Sequence, residues 1–212
     1  KWRQPLKVWR KYFTDWIENP KPEALLNSCI FFDLDSVYGE SAMVEELQEL
    51  LAEKASRNEA FLGSLSRNAL NRTPPLGFFR TFVMEKDGEH KNVINLKRRG
   101  TAPLTDLIRV HALACGSRAQ NSFERLDAIS ATKLMPPDAL ERLRYALEFL
   151  SLVRIRHQAL AIEESIEPDN DVEPENSSPA ERQALKDAFQ VLSNAQKFLR
   201  FRYPHLAVTR PL

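Results

Sequence analysis

Residues 95–115 read NLKRRGTAPLTDLIRVHALAC, and the rest of the chain is organised around them. Asn95 and Leu96 close an alternating, strand-like run, and Lys97, Arg98, Arg99 and Gly100 follow as a basic turn. Thr101 suits an N-cap, and Pro103 suits a first helical turn, where no backbone donor is needed. Leu104, Leu107, Ile108, His111, Ala112 and Cys115 then recur at helical spacing and form one apolar stripe. Asp106 and Arg109 lie off that stripe and can pair. Cations just before a helix start are either a solvated turn or an anion site, where side-chain charge and backbone N–H groups converge.

Upstream, apolar residues from Leu6 to Ile17 predict an amphipathic helix over 5–19, carrying Trp9 and Trp16 in a series begun by Trp2. A tryptophan stripe is core or interface packing before it is a ligand cage. Residues 22–27 allow a short helix. Cys29-Ile30-Phe31-Phe32-Asp33-Leu34-Asp35 is short, apolar and β-prone, and predicts a buried strand with Asp33 and Asp35 on one face. Two such carboxylates are either a divalent-metal site or a polar strand end. Helices are predicted over 40–58 and 60–70. The apolar runs 78–84 and 93–96 flank Asp87-Gly88, which signals a hairpin.

Downstream, Gly116 fits a C-cap, and a helix follows over 122–132. The longest helix is predicted over 138–166. Its apolar stripe ends on Arg154 and His157, with Gln158 alongside; these are either snorkelling and satisfied core groups or parts of a site. Residues 163–178 are acidic and rich in Pro, Asn and Ser, and predict a long loop. Ser178-Pro179-Ala180-Glu181 is a capping-box start for a last helix reaching about residue 203. The sum is a mainly α chain: a helix bundle with a small β element, one buried strand plus a hairpin.

The 212 residues are 43% hydrophobic and carry a net charge of +1, so there is a sizeable core and no overall field to attract nucleic acid. No apolar run approaches the ~20 residues a membrane span needs. Cys29 and Cys115 have no ligand spacing and read as buried free thiols of a reducing, cytoplasmic compartment. The chain opens at Lys1 without a methionine and reads as a piece of a larger protein. There is no GxxxxGK[ST], GxGxxG, HExxH or GxSxG, and neither Gly63-Ser64 nor Gly116-Ser117 is followed by a DxD. No complete active site is visible.

Several segments taken together carry a resemblance: WIENPKPEALLNSCIFFDLDSVYGE, PPLGFFRTF, INLKRRGTAPLTDLIRVHALACG, RLDAIS, RIRHQ and SPAERQALKDAFQVLSNAQKFL. In this order they resemble the nucleotidyltransferase substrate-binding domain family, and more remotely PII uridylyltransferase. That family places the domain after a nucleotidyltransferase-like domain, often with cyclic-nucleotide-binding and CBS modules upstream. The resemblance implies that residues 1–39 are the C-terminal edge of the nucleotidyltransferase-like domain and 40–212 the helical substrate-binding domain. It implies binding of a nucleotide or a protein acceptor by Lys97, Arg109, Arg125, Arg154, His157 and Gln158, to which the basic turn adds Arg98. It also implies a catalytic, Mg²⁺-binding role for Asp33 in the intact protein, with Asp35 beside it where the family carries arginine. The parent would be a cytoplasmic signalling transferase, and the chain alone inactive. The rival is a non-enzymatic helical domain that relays signals from upstream sensors. A tryptophan stripe left uncovered would dock on the missing domain or pair two copies as a homodimer.

Overall fold

The computed structural model describes residues 2–77, 81–84 and 92–204. Among these there are eight α-helices and one two-stranded sheet: α1 (Leu6–Glu18), α2 (Pro22–Phe31), α3 (Ala42–Ser56), α4 (Glu59–Leu70), β1 (Ile94–Asn95), α5 (Ala102–Ala114), α6 (Ser122–Ser130), α7 (Pro137–Glu163), β2 (Asp171–Val172) and α8 (Pro179–Arg202). The mainly α architecture with a small β element is the one the sequence predicts. The chain divides into two compact units. One holds residues up to 68 with 108–135 and 202 onward; the other holds 69–107 and 136–201.

In the first unit α1 packs on α2 and α3. Phe13, Trp16 and Ile17 of α1 are buried, as are Phe32, Leu47, Leu51, Phe61, Ile108, Leu126 and Ile129. The tryptophan stripe is graded: Trp16 is 9% exposed and Trp2 39%. Phe31 meets Trp2, Trp9 and Trp16 at 4.6, 5.1 and 5.6 Å between ring centres, so α2 covers much of the stripe. Caps follow local sequence: Asn58 Oδ1 accepts from Phe61 N at 2.9 Å, and Asn121 Oδ1 from Phe123 N at 2.8 Å. Gly116 takes φ +70°, the left-handed C-cap its sequence position predicts.

The strand predicted across Cys29–Asp35 is not formed. Cys29, Ile30 and Phe31 are the last turn of α2, and Asp33 lies in the turn beyond it. The run is apolar because Phe31 and Phe32 pack against the aromatic side chains of α1, an arrangement a helix satisfies as well as a strand does. Cys29 and Cys115 are free thiols, half-buried rather than fully buried.

In the second unit β1 pairs antiparallel with β2, Ile94 opposite Val172 and Asn95 opposite Asp171. The acidic connection after α7 therefore contributes a strand and a short 3₁₀ turn, Pro174–Asn176, instead of running as a plain loop. The turn of the hairpin predicted around Gly88 lies outside the described residues; nearby, Leu76 bridges Phe82 antiparallel. Ser178 Oγ accepts from Glu181 N at 3.2 Å, the cap its motif predicts for α8.

Helix α5 starts earlier than Thr101. Helical backbone begins at Leu96 and passes through a π-helical turn, Lys97–Thr101, before regular α5. The N-cap is Asn95, whose Oδ1 accepts from Arg98 N at 2.8 Å. Pro103 then lies inside the helix, where its ring crowds the carbonyl four residues back and it donates no hydrogen bond. The widened turn directly before it relieves that conflict.

Candidate substrate-binding site

The basic turn is set by Asn95. Besides capping the helix, its Nδ2 donates to Asp171 Oδ1 at 2.5 Å, while Leu96 N donates to Asn170 O at 2.8 Å. Gly100 lets the turn seat on the helices beneath it. A Cβ there would lie 3.2 Å from Leu150 Cδ1 and 3.4 Å from Phe189 Cε1. Lys97 and Arg98 are consequently held in solvent in the first helical turn, and Arg99 Nε donates to Thr73 O at 2.8 Å. Cations in a first turn oppose the helix dipole, which favours negative charge there.

Arg154, His157 and Gln158 share one face of α7 by spacing. Arg154 Nη1 donates to the buried Thr101 Oγ1 at 3.2 Å, tying α7 to the π-helical turn. Its Nε is buried with no hydrogen-bond partner among the described residues. His157 Nε2 lies 2.8 Å from Asp169 Oδ1, and Gln158 Nε2 donates to Asp169 O at 3.0 Å. Asp169 Oδ1 also accepts from Asp171 N at 2.9 Å. His157 and Gln158 thus hold the connection carrying β2 against α7. A groove of about 270 Å³ borders this region, with Val153, Leu160 and Val172 among its apolar walls and His157, Asp171 and Glu181 among its polar ones.

The other expected site residues belong to the first unit. Both oxygens of Asp33 are engaged: Arg109 Nη2 donates to Oδ2 at 2.6 Å, and Arg125 Nη2 donates to Oδ1. Arg109 and Arg125 are 7% and 3% exposed. Arg125 Nε also donates to Ala119 O at 2.9 Å. Next to the carboxylate, Leu34 O accepts from Gln120 Nε2 at 2.6 Å and Gln48 Nε2 at 3.2 Å. Burial alone would raise the pKa of Asp33, but the hydrogen bonds and charges of Arg109 and Arg125 outweigh it and hold the carboxyl below its ordinary value.

Asp33 and Asp35 do not make the donor set Mg²⁺ requires. Asp33 lies between two guanidinium cations, and Asp35 Oδ1 accepts from Ser36 N at 2.7 Å. No group of three or more His, Cys, Asp and Glu side chains able to hold a metal occurs among the described residues. The nine residues singled out in sequence therefore fall in two places: Lys97, Arg98, Arg154, His157 and Gln158 in one unit, and Asp33, Asp35, Arg109 and Arg125 in the other. Sequence reasoning missed Asn95, Thr101 and Asp169 as the groups that position the first set. Asn95 had a visible signal, since it is a strong capping residue directly before the helical run.

Residues 59–203 match the family model described as "Putative nucleotidyltransferase substrate binding domain". The match spans most of the chain, and the chain belongs to that family. Searches of curated proteins and of solved structures find no match. No helix among the described residues is long and apolar enough to cross a membrane.

Proposed function

We propose that this chain is the substrate-binding part of a nucleotidyltransferase of the uridylyltransferase-like kind, acting within a cytoplasmic signalling protein. Its partner is a nucleotidyltransferase domain, and its ligand a phosphate-bearing substrate, either the nucleotide or the acceptor. The observation that carries this reading is the basic turn: Lys97 and Arg98 stand exposed in a first helical turn, with Arg154 tied to Thr101 behind them. Three cations around a helix start suit charge-assisted contacts to phosphate oxygens.

In this reading Asp33 is a positioning residue that fixes Arg109 and Arg125, and the metal chemistry of transfer is supplied outside this chain's described residues. The chain alone binds but does not transfer. Equilibrium dialysis of UTP, ATP and inorganic phosphate at low and high ionic strength tests the proposal. Binding of a triphosphate, competed by phosphate and weakened by salt, supports it; no binding of any of the three at low salt refutes it.

A further inference from the structure

Helix α7 has two apolar faces, and one of them is buried. Leu140, Leu143, Leu147, Leu150 and Val153 are buried. On the opposite side Tyr145, Leu152, Ile155 and Ile162 are each more than half exposed, as is Ile166 just past the helix. Tyr145 and Leu152 are seven residues apart, as are Ile155 and Ile162, with Ala159 seven after Leu152. This is a 3.5-residue repeat with alternating spacings of three and four, the pattern of a coiled-coil seam. From Tyr145 to Ile162 the seam is about 26 Å long. Tyr145 and Phe149 stack at 5.9 Å and 11°, giving its N-terminal end a preformed aromatic edge.

We propose that this face pairs with the same face of a second copy of the chain, antiparallel about a two-fold axis between Val153 and Arg154. The register places Leu152 against Ile155 and Tyr145 against Ile162 of the second copy, each twice by symmetry. Glu148, the one charged residue at a seam position, meets Ala159, where the small side chain leaves room for the carboxylate to reach solvent. The flanking positions are complementary: Arg142 faces Glu163. Arg142 is 68% exposed and its present partner, Asp138, 69%, so little holds the guanidinium in place. Parallel pairing would set Glu148 against Glu148 inside the seam, which the charge pattern opposes. The pairing is self-complementary, as a two-fold interface must be, and uses no residue of the proposed phosphate site.

Sedimentation of the 212-residue chain over a range of concentrations tests this. The expected result is a monomer–dimer equilibrium that Leu152→Asp weakens by at least about tenfold with unchanged helical circular dichroism, since Leu152 is already solvent-exposed. Glu163→Arg should weaken the dimer, and adding Arg142→Glu should restore it. A monomer at every concentration overturns the proposal. So does a dimer indifferent to Leu152→Asp, or a double charge reversal that does not recover the dimer.

Discussion

Arg109 donates to Asp33 Oδ2 at 2.6 Å across 76 positions of sequence, and Arg125 takes the carboxylate's other oxygen. The contact joins the turn after α2 to α5 and α6 and sets two nearly buried cations against one carboxylate. Removing that carboxylate takes the same counter-charge from both guanidinium groups, the costly way to break a buried pair. Asp33→Asn keeps the shape but not the charge, so even this near-isosteric change should destabilise the fold. The predicted loss is roughly 3 kcal/mol in urea unfolding, at the low end of the range for such pairs because Asp33 is partly open to solvent. An unfolding midpoint equal to the wild type would show that the pair is energetically idle.

His111 is 2% exposed, and burial, with the charge of Arg202, lowers its pKa from 6.5 to about 4. The sign follows directly. The unfolded chain takes up this proton near pH 6.5 and the folded chain only near pH 4, so stability falls as pH drops through that window. The contribution lost is about 3 kcal/mol when complete. Asp33, held below its ordinary carboxylate value, adds its own loss at still lower pH. Denaturant titrations between pH 7 and 4 should show the decline, and His111→Leu should flatten it; an equally steep decline in the variant would assign the effect elsewhere.

Gly100 sits where a Cβ would press on Leu150 and Phe189. Gly100→Val adds two further methyl groups to a buried position and should destabilise by roughly 1–3 kcal/mol, the usual cost of overpacking. It should also displace the basic turn, so anion binding should fall more than the stability loss alone accounts for. A calorimetric melting point within a degree or so of wild type, about the size of a negligible change, would mean that the turn yields freely.

The helices were legible because each buries one stripe, and the 3.6-residue period survives in sequence wherever a single face is covered. Leu185, Phe189, Leu192 and Leu199 of α8 are the clearest case, all at or below 1% exposure. The period fails for runs as short as Cys29–Phe32, where α2 is apolar on more than one side and a strand reads equally well. The pairing of Asn95 with Asp171 was not legible, because a two-residue ladder has no pattern of its own and its second strand lies in an acidic, proline-rich connection. The helix start was misplaced because Asn95 and Thr101 are both competent caps. What separates them is the bond from Asn95 Nδ2 to Asp171, which no local reading contains. The charged residues of both clusters were named from sequence and resemblance together, but not their division between two units, since Arg109 and Arg154 each mark a helix face without saying what lies opposite.

The central claim, that Lys97, Arg98 and Arg154 form a phosphate site on a substrate-binding domain, is tested most directly by calorimetric titration of UTP into the wild-type chain and into Lys97→Ala and Arg154→Ala. Each variant should bind about tenfold more weakly, the loss of one charge-assisted contact of 1.4 kcal/mol or so, with its melting temperature near that of the wild type for the exposed Lys97. Affinity unchanged in both variants would contradict the account.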